Sequence, residues 1–461
     1  MSHTDLFSDF PEISAKGWKQ KIQFDLKGAD YNETLVWESP EGIKVKPFYH
    51  ADDFKETPLY KSTKTNKWTI AQNIYVSDAT KANNKALNAI ERGANSIIFS
   101  VPSKEIVLSK LLLNIDLDTT TLYFNFNFLS TSYTKQLLAF VKNAKKNIHL
   151  NIDPIGRLAR SGNWYYNLIE DFKILKEILL LTKNTAVKST IGINLSLYQN
   201  SGATMVQQLA YTLAHANEYL NFLQNEKLIE QNISFTVSLG SNYFFEIAKL
   251  RALRLLWSSL ASEYNMDPDC HIIAIPTRRN KTLYDYNVNM LRTTTECMSA
   301  IIGEADTICN LPYDKIYHKD NEFGERIARN QLLILQHESY FDKVNNPADG
   351  TYYIENVTQQ LAEKALLLFK EIEKNDGFLK NLKNNTIQSK IKQAAKKEQQ
   401  LFDTQQEILV GSNKYQNSED KMKDDLELYP FIKKSSKKTL LEPIIEKRLA
   451  EKLEKERLKN E

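Results

Sequence analysis

The sequence predicts an α/β chain wound around a parallel sheet and closed as a (β/α)8 TIM barrel, and three observations predict it. Apolar, β-rich runs recur at 96–101, 122–128, 148–152, 190–197, 233–239 and 271–275. Segments of helical periodicity lie between them at 78–92, 163–181, 204–223, 243–263 and 286–302. Each is about long enough to carry the chain back to the start of a parallel neighbour, and a closed barrel holds so many βα units in one domain. The open doubly wound sheet is the alternative. These runs place an N-terminal arm at 1–53, the barrel at 54–375 and a charged helical extension at 376–461.

Taken in order, the first helix at 78–92 follows Ser77, a residue suited to an N-cap. The run Tyr123-Phe124-Asn125-Phe126-Asn127-Phe128 loads one strand with aromatics, which predicts a filled interior and is far more often core than cofactor box. Residues 233–239 alternate, Gly240-Ser241-Asn242 supplies turn and N-cap chemistry, and Phe244, Phe245, Ala248, Ala252, Leu255 and Leu256 share a helical face: one complete βα repeat. Beyond Tyr353 the strand signals fade into helical, polar sequence, including 357–374 and 388–400. At 440–461, Leu440, Leu441, Ile444, Ile445, Leu449, Leu453 and Leu458 stand among Lys and Glu. A helix with one apolar stripe is expected there, docked on its own barrel or on a partner.

With 461 residues, 42% hydrophobic and 25% charged, the chain can bury an extensive core. Sixty basic against 57 acidic residues leave a net charge of +3, too small and too evenly spread for a nucleic-acid or anionic-membrane footprint. Cys270, Cys297 and Cys309 are odd in number and lack metal spacing, which fits unpaired thiols in a reducing cytoplasm. The acidic start Met1-Ser2-His3-Thr4-Asp5 is unlike a signal peptide, and no apolar run reaches the length of a membrane span.

The block Asn242 to Trp257 (Asn-Tyr-Phe-Phe-Glu-Ile-Ala-Lys-Leu-Arg-Ala-Leu-Arg-Leu-Leu-Trp) resembles a signature of the methylmalonyl-CoA mutase family almost in full. Further segments extend the resemblance over roughly 42–365. They include Gly42-Ile43-Lys44-Val45, Trp68-Thr69-Ile70, Gly202-Ala203-Thr204, Leu291-Arg292-Thr293-Thr294, Arg326-Ile327-Ala328-Arg329-Asn330 and Leu361-Ala362-Glu363-Lys364-Ala365. The resemblance implies a TIM barrel and an adenosylcobalamin-dependent interconversion of methylmalonyl-CoA and succinyl-CoA.

The sequence departs from the family's catalytic members in two respects, a missing domain motif and changed barrel positions. They carry a cobalamin domain marked by Asp-x-His-x-x-Gly, whose His ligates cobalt, and no such motif occurs here. Where they follow Trp-Thr-Ile with Arg-Gln-Tyr, this chain has Ala71-Gln72-Asn73; where they place a His before Gly-Ala-Thr, it has Leu197. The resemblance therefore implies no catalytic, cofactor-binding or metal-ligating residue in this chain. It implies the small-subunit branch: a noncatalytic barrel stabilising a homologous large subunit that binds acyl-CoA and adenosylcobalamin in a heterodimer of propionate metabolism. The alternative is a catalytic barrel served by a cobalamin domain on another chain. The stripe after Pro443 is the candidate for part of the subunit contact.

Rival chemistry is weak. His318-Lys319-Asp320 and His337-Glu338 lack the i, i+4 His spacing that aims two ligands at one metal. His271 reads as a satisfied strand-edge residue, His215 as helix packing, and Arg251 and Arg254 as partners of carboxylates on a neighbouring element. An unrelated hydrolase or lyase would need carboxylates or His gathered at the strand ends. No such cluster is assembled from the sequence.

Overall fold

The computed structural model describes residues 13–54, 67–142, 144–145, 147–230, 232–433 and 437–461. Eight parallel strands close into a barrel: β1 (Thr69–Tyr75), β2 (Ser96–Val101), β3 (Thr121–Phe126), β4 (Ile148–Ile152), β5 (Val187–Asn194), β6 (Asn232–Leu239), β7 (His271–Pro276) and β8 (Thr307–Ile308). They pair in sequence order, and β8 joins β7 to β1. The helices that follow the strands in turn are α1 (Ala79–Glu91), α2 (Leu108–Leu111), α3 (Thr131–Phe140), α4 (Leu168–Thr182), α5 (Met205–Asn225), α6 (Tyr243–Glu263), α7 (Val288–Ile302) and α8 (Glu322–His337). The expected (β/α)8 barrel is present.

The two-residue period of the strands sorts their side chains. On β6, Ile233, Phe235, Val237 and Leu239 enter the layer between strands and helices, while Ser234, Thr236 and Ser238 face the barrel axis. Strand β3 corrects the aromatic reading. Only Tyr123 points to the axis; Phe124 joins the helix-facing core, and Phe126 and Phe128 stack edge-on to Tyr133 of α3.

Local chemistry moves several boundaries. Asp78 caps α1, accepting from the Lys81 amide at 2.8 Å, so Ser77 lies one residue too early. The run at 190–197 does not stay extended. Asn194 Oδ1 takes the Ser196 amide at 2.9 Å, which turns the chain into a short helix, Ser196–Asn200. Residues 163–167 stay outside α4 because Asp171 holds the Tyr165 and Tyr166 amides and Asn167 is the cap. Asn242 makes no side-chain capping bond; Glu246 instead reaches back to the Gly240 amide at 2.7 Å.

Of the outer helices, α9 (Tyr352–Lys374) packs on α5 and α6, α10 (Gly377–Lys383) on α5 and α9, and α11 (Thr386–Asp403) on α10. The helical expectation for 440–461 holds only for α12 (Glu451–Lys459). Before it the chain is an extended strap, because its amides are spent on the barrel rim. Leu440 and Leu441 donate to Gly162 O, Ile444 to Ala159 O, Lys447 to Asn200 O and Leu449 to Arg279 O. Pro443 has no amide to offer a helix. Leu441, Ile444 and Leu449 are buried, whereas Leu440 and Ile445 are 74% and 53% exposed, so the stripe is not a single helical face. Gly162, at φ 75°, makes the approach possible: a Cβ there would sit 2.5 Å from Leu441 O. Of the two expected placements, on its own barrel or on a partner, the segment takes the first.

Charge is buried around α6. Lys249 donates to Ser238 O at 2.8 Å and pairs with Glu246; Arg251 pairs with Glu355 and donates to Asn346 at 2.6 Å. Arg254 meets Asp306 at 2.9 Å together with the carbonyls of Cys270 and Glu304. Both arginines find carboxylates on neighbouring elements, as read from the sequence. Burial lowers the Lys249 ammonium from its ordinary value despite the nearby Glu246. Among the described residues no helix is long and apolar enough to cross a membrane, and Cys270, Cys297 and Cys309 are buried free thiols.

Candidate functional site at the barrel mouth

The barrel axis is closed in its lower half and open in its upper half. Near the N-terminal ends of the strands, the rings of Tyr123, His149 and His271 stack, with His149 4.6 Å from Tyr123 and 4.4 Å from His271. The Tyr123 hydroxyl meets Thr307 Oγ1 at 2.6 Å and His271 Nε2 at 2.9 Å; His149 Nδ1 meets Ser189 Oγ at 2.7 Å. Burial, with His271 and Lys188 close by, holds the His149 imidazole well below its ordinary value, and burial raises the Tyr123 phenol. His271 is satisfied as expected, but inside the barrel and not at an edge. Ala71, Ile98, Ile273 and Cys309 cover the stack.

Above this plug a cavity of about 350 Å³ opens at the C-terminal ends of the strands, the face where TIM barrels place their chemistry. Inward positions supply its wall: Asn73 on β1, Asn125 on β3, Asn151 on β4, Asn194 on β5, Thr236 and Ser238 on β6. Gly192 makes room for this layer, since a Cβ there would lie 2.5 Å from Asn151 Oδ1. Asn151 donates to Asn125 Oδ1 at 2.8 Å and takes the Ser234 hydroxyl at 3.3 Å.

One side of the cavity carries an aspartate with its donors. Asp153 Oδ1 accepts from Tyr219 at 2.6 Å, the Gly156 amide at 2.7 Å and His215 Nε2 at 2.9 Å; His215 Nδ1 meets Tyr198 OH at 3.1 Å. Burial opposes the charge on Asp153, but His215 and these hydrogen bonds prevail and its pKa is lowered. The His215 ring also stacks on Phe378 at 5.1 Å, so it packs as expected and orders Asp153 as well.

The positions singled out by comparison with catalytic members converge on this cavity. Asn73 and Leu197 line it, and Ala71 lies just beneath, in the cluster above Tyr123. No guanidinium, phenol or imidazole stands at these three positions. His318 contacts Asp314 at 3.2 Å, and among the described residues no three His, Cys, Asp or Glu side chains group as a metal site. The amides and Asp153 escaped the sequence reading. Their signal was there: polar residues at inward parity at strand ends, Asn125, Asn151, Asp153 and Asn194.

A profile described as methylmalonyl-CoA mutase matches residues 106–459, well over half of the chain. The chain belongs to the methylmalonyl-CoA mutase family. The match runs past the barrel into the strap and α12, farther than the segments up to 365 that carried the resemblance. The chain is similar to a Methylmalonyl-CoA mutase small subunit of Porphyromonas gingivalis, 34% identical over 446 residues, covering 89% of this chain and 71% of that protein. A Methylmalonyl-CoA mutase of Rhizobium meliloti is 28% identical, with coverage of 90% and 66%. A Methylmalonyl-CoA mutase large subunit of Streptomyces virginiae is 27% identical, with coverage of 91% and 64%. The chain therefore spans between 64% and 71% of the length of these relatives.

None of the seven histidines lies in an Asp-x-His-x-x-Gly motif, and residues 440–449 bridge the barrel mouth through backbone bonds to its rim.

Proposed function

We propose that this chain is the noncatalytic small subunit of a heterodimeric, adenosylcobalamin-dependent methylmalonyl-CoA mutase. In this reading it stabilises a homologous large subunit that binds acyl-CoA and cobalamin and carries out the interconversion of methylmalonyl-CoA and succinyl-CoA. One observation carries the reading: Asn73 and Leu197 stand on the cavity wall above Ala71, where catalytic members of the family place Arg, Tyr and His. The Tyr123, His149 and His271 stack supports it, since a plugged axis leaves no passage for a ligand threaded along the barrel. The small-subunit name of the Porphyromonas gingivalis relative points the same way.

The experiment is co-expression with the homologous large chain of the same organism. The two chains are expected to co-elute in equal amounts and to isomerise methylmalonyl-CoA when adenosylcobalamin is supplied. The chain alone, with adenosylcobalamin, is expected to show no rate above background. A rate from the isolated chain, or micromolar binding of either ligand to it, overturns the noncatalytic reading and favours a catalytic barrel served by a separate cobalamin domain.

A further inference from the structure

The cavity at the barrel mouth is balanced in charge and lined by hydrogen-bonding groups that the fold leaves unused. Its four cationic side chains, Arg157, Arg160, Arg278 and Lys315, are matched by four carboxylates, Asp153, Asp320, Glu325 and Glu446. A ligand with net charge would upset that balance in a part-enclosed site.

Donors and acceptors are both present. Asn194 Oδ1 accepts the Ser196 amide at 2.9 Å and Asn200 Oδ1 the Arg278 amide at 3.1 Å. A backbone N–H only donates, so each NH2 group faces away from it, and among the described residues neither NH2 group has a protein acceptor. Asp153 gathers its three bonds on Oδ1 and keeps Oδ2 as an acceptor. Among the described residues the Thr236 and Ser238 hydroxyls and the Asn127 amide bond to no protein group, and each can donate or accept.

An apolar ligand would strip these groups of water without replacing the lost bonds. A nucleobase would need a ring to stack on, and the three aromatic side chains of the wall are already engaged. Tyr165 lies under Arg157 at 5.4 Å, Phe126 stacks on Phe124 at 5.8 Å, and Tyr198 meets Tyr211 at 5.8 Å. Beneath, the stack of Tyr123, His149 and His271 closes the floor to an extended molecule. A compact, uncharged, hydroxyl-dense molecule meets all of these conditions, because every hydroxyl both donates and accepts.

We propose that the barrel mouth is a binding site for a small neutral cyclic polyol, a monosaccharide or a cyclitol. Its volume of about 350 Å³ lies at the small end of the range for ligand sites. The site does not depend on which subunit carries the chemistry.

The test is isothermal titration of the intact chain with D-glucose, with myo-inositol, with cyclohexanol as a ring bearing one hydroxyl, and with adenosine. At least one of the two polyols is expected to bind at one site with a dissociation constant of about 1 mM or tighter, and cyclohexanol and adenosine roughly tenfold more weakly. The tighter polyol identifies the source as sugar or cyclitol. Added salt is expected to change the affinity by less than about twofold, since the ligand carries no charge to screen. T236V/S238A is expected to weaken binding roughly tenfold while the thermal midpoint stays put, because neither hydroxyl serves the fold. N127A, at an exposed residue, is expected to weaken it about threefold and carries the test if the double variant does not fold. Failure of both polyols to saturate, cyclohexanol or adenosine binding as tightly as the better polyol, a steep loss of affinity with salt, or full affinity in both T236V/S238A and N127A overturns the proposal.

Discussion

Replacing Arg448 by Met tests whether the strap belongs to its own barrel. Arg448 and Glu454 are 5% and 1% exposed, and NH1 lies 2.6 Å from Oε2. Arg448 also donates to Lys281 O at 3.0 Å, and Glu454 Oε1 accepts the Leu283 amide at 2.9 Å, so the pair ties α12 to the loop after β7. Removing one member of a buried pair strands the other charge and costs about 3–5 kcal/mol. The loss falls on the strap, whose release leaves the strands and their helices intact. At about 1.4 kcal/mol per tenfold, amide protection of Leu440, Leu441, Ile444, Lys447 and Leu449 is expected to fall by about two to three and a half powers of ten. Hydrogen-exchange mass spectrometry of the intact chain reads this directly. R448M/E454Q, which removes both charges and leaves an amide oxygen for Leu283, should recover most of the protection. Unchanged exchange in R448M, or a double variant as unprotected as the single, refutes docking of the strap through this pair.

Two further expectations follow from buried charge. His149 resists protonation in the folded barrel because of burial and the neighbouring His271 and Lys188, whereas the unfolded chain takes up that proton near pH 6.5. Its contribution to stability is therefore fully present above about pH 6.5 and is lost as the pH falls, at up to about 1.4 kcal/mol per pH unit. Urea unfolding between pH 7 and pH 5 should show that slope, reduced by about one proton in H149Q; an equal slope in both proteins removes His149 as its source. K249M strands Glu246, only 1% exposed, and should cost about 3–5 kcal/mol, most of it regained in K249M/E246Q. Chemical denaturation checks this, and a loss in the double variant as large as in the single one would show that packing, not charge, sets the cost.

Much of the barrel was legible because its outward residues are apolar at period two or along a helical face. The runs at 96–101 and 271–275 coincide closely with β2 and β7, and 243–263 is α6. The first and last barrel strands escape the apolar pattern, for a physical reason. β1 interleaves Ala71, Gln72 and Asn73 with its isoleucines, and β8 is two residues long, held between neighbours that already define the circle. The strap was misread because composition records that leucines are present but not where the amides go. Its hydrogen bonds run to carbonyls of residues 159, 162, 200 and 279, more than 150 positions away in the chain. The amide-lined cavity was missed because each of its asparagines, alone in sequence, is indistinguishable from a turn residue.

The block from Asn242 to Trp257 that carries the family resemblance lies away from the cavity. Glu246, Lys249, Arg251 and Arg254 are each at least 91% buried on α6, and each serves the architecture. Glu246 holds the turn at Gly240, Lys249 ties the helix to β6 through Ser238 O, Arg251 clamps α9 through Glu355, and Arg254 fixes the entry to β8 through Asp306. Losing any one partner would strand a buried charge, at about 3–5 kcal/mol, and the others cannot compensate from where they sit. Asn73 and Leu197 face the cavity and make no ion pair, so substitution there strands no buried charge. In this chain the resemblance-bearing helix is fixed by buried ion pairs, and the barrel-mouth positions Asn73 and Leu197 are not.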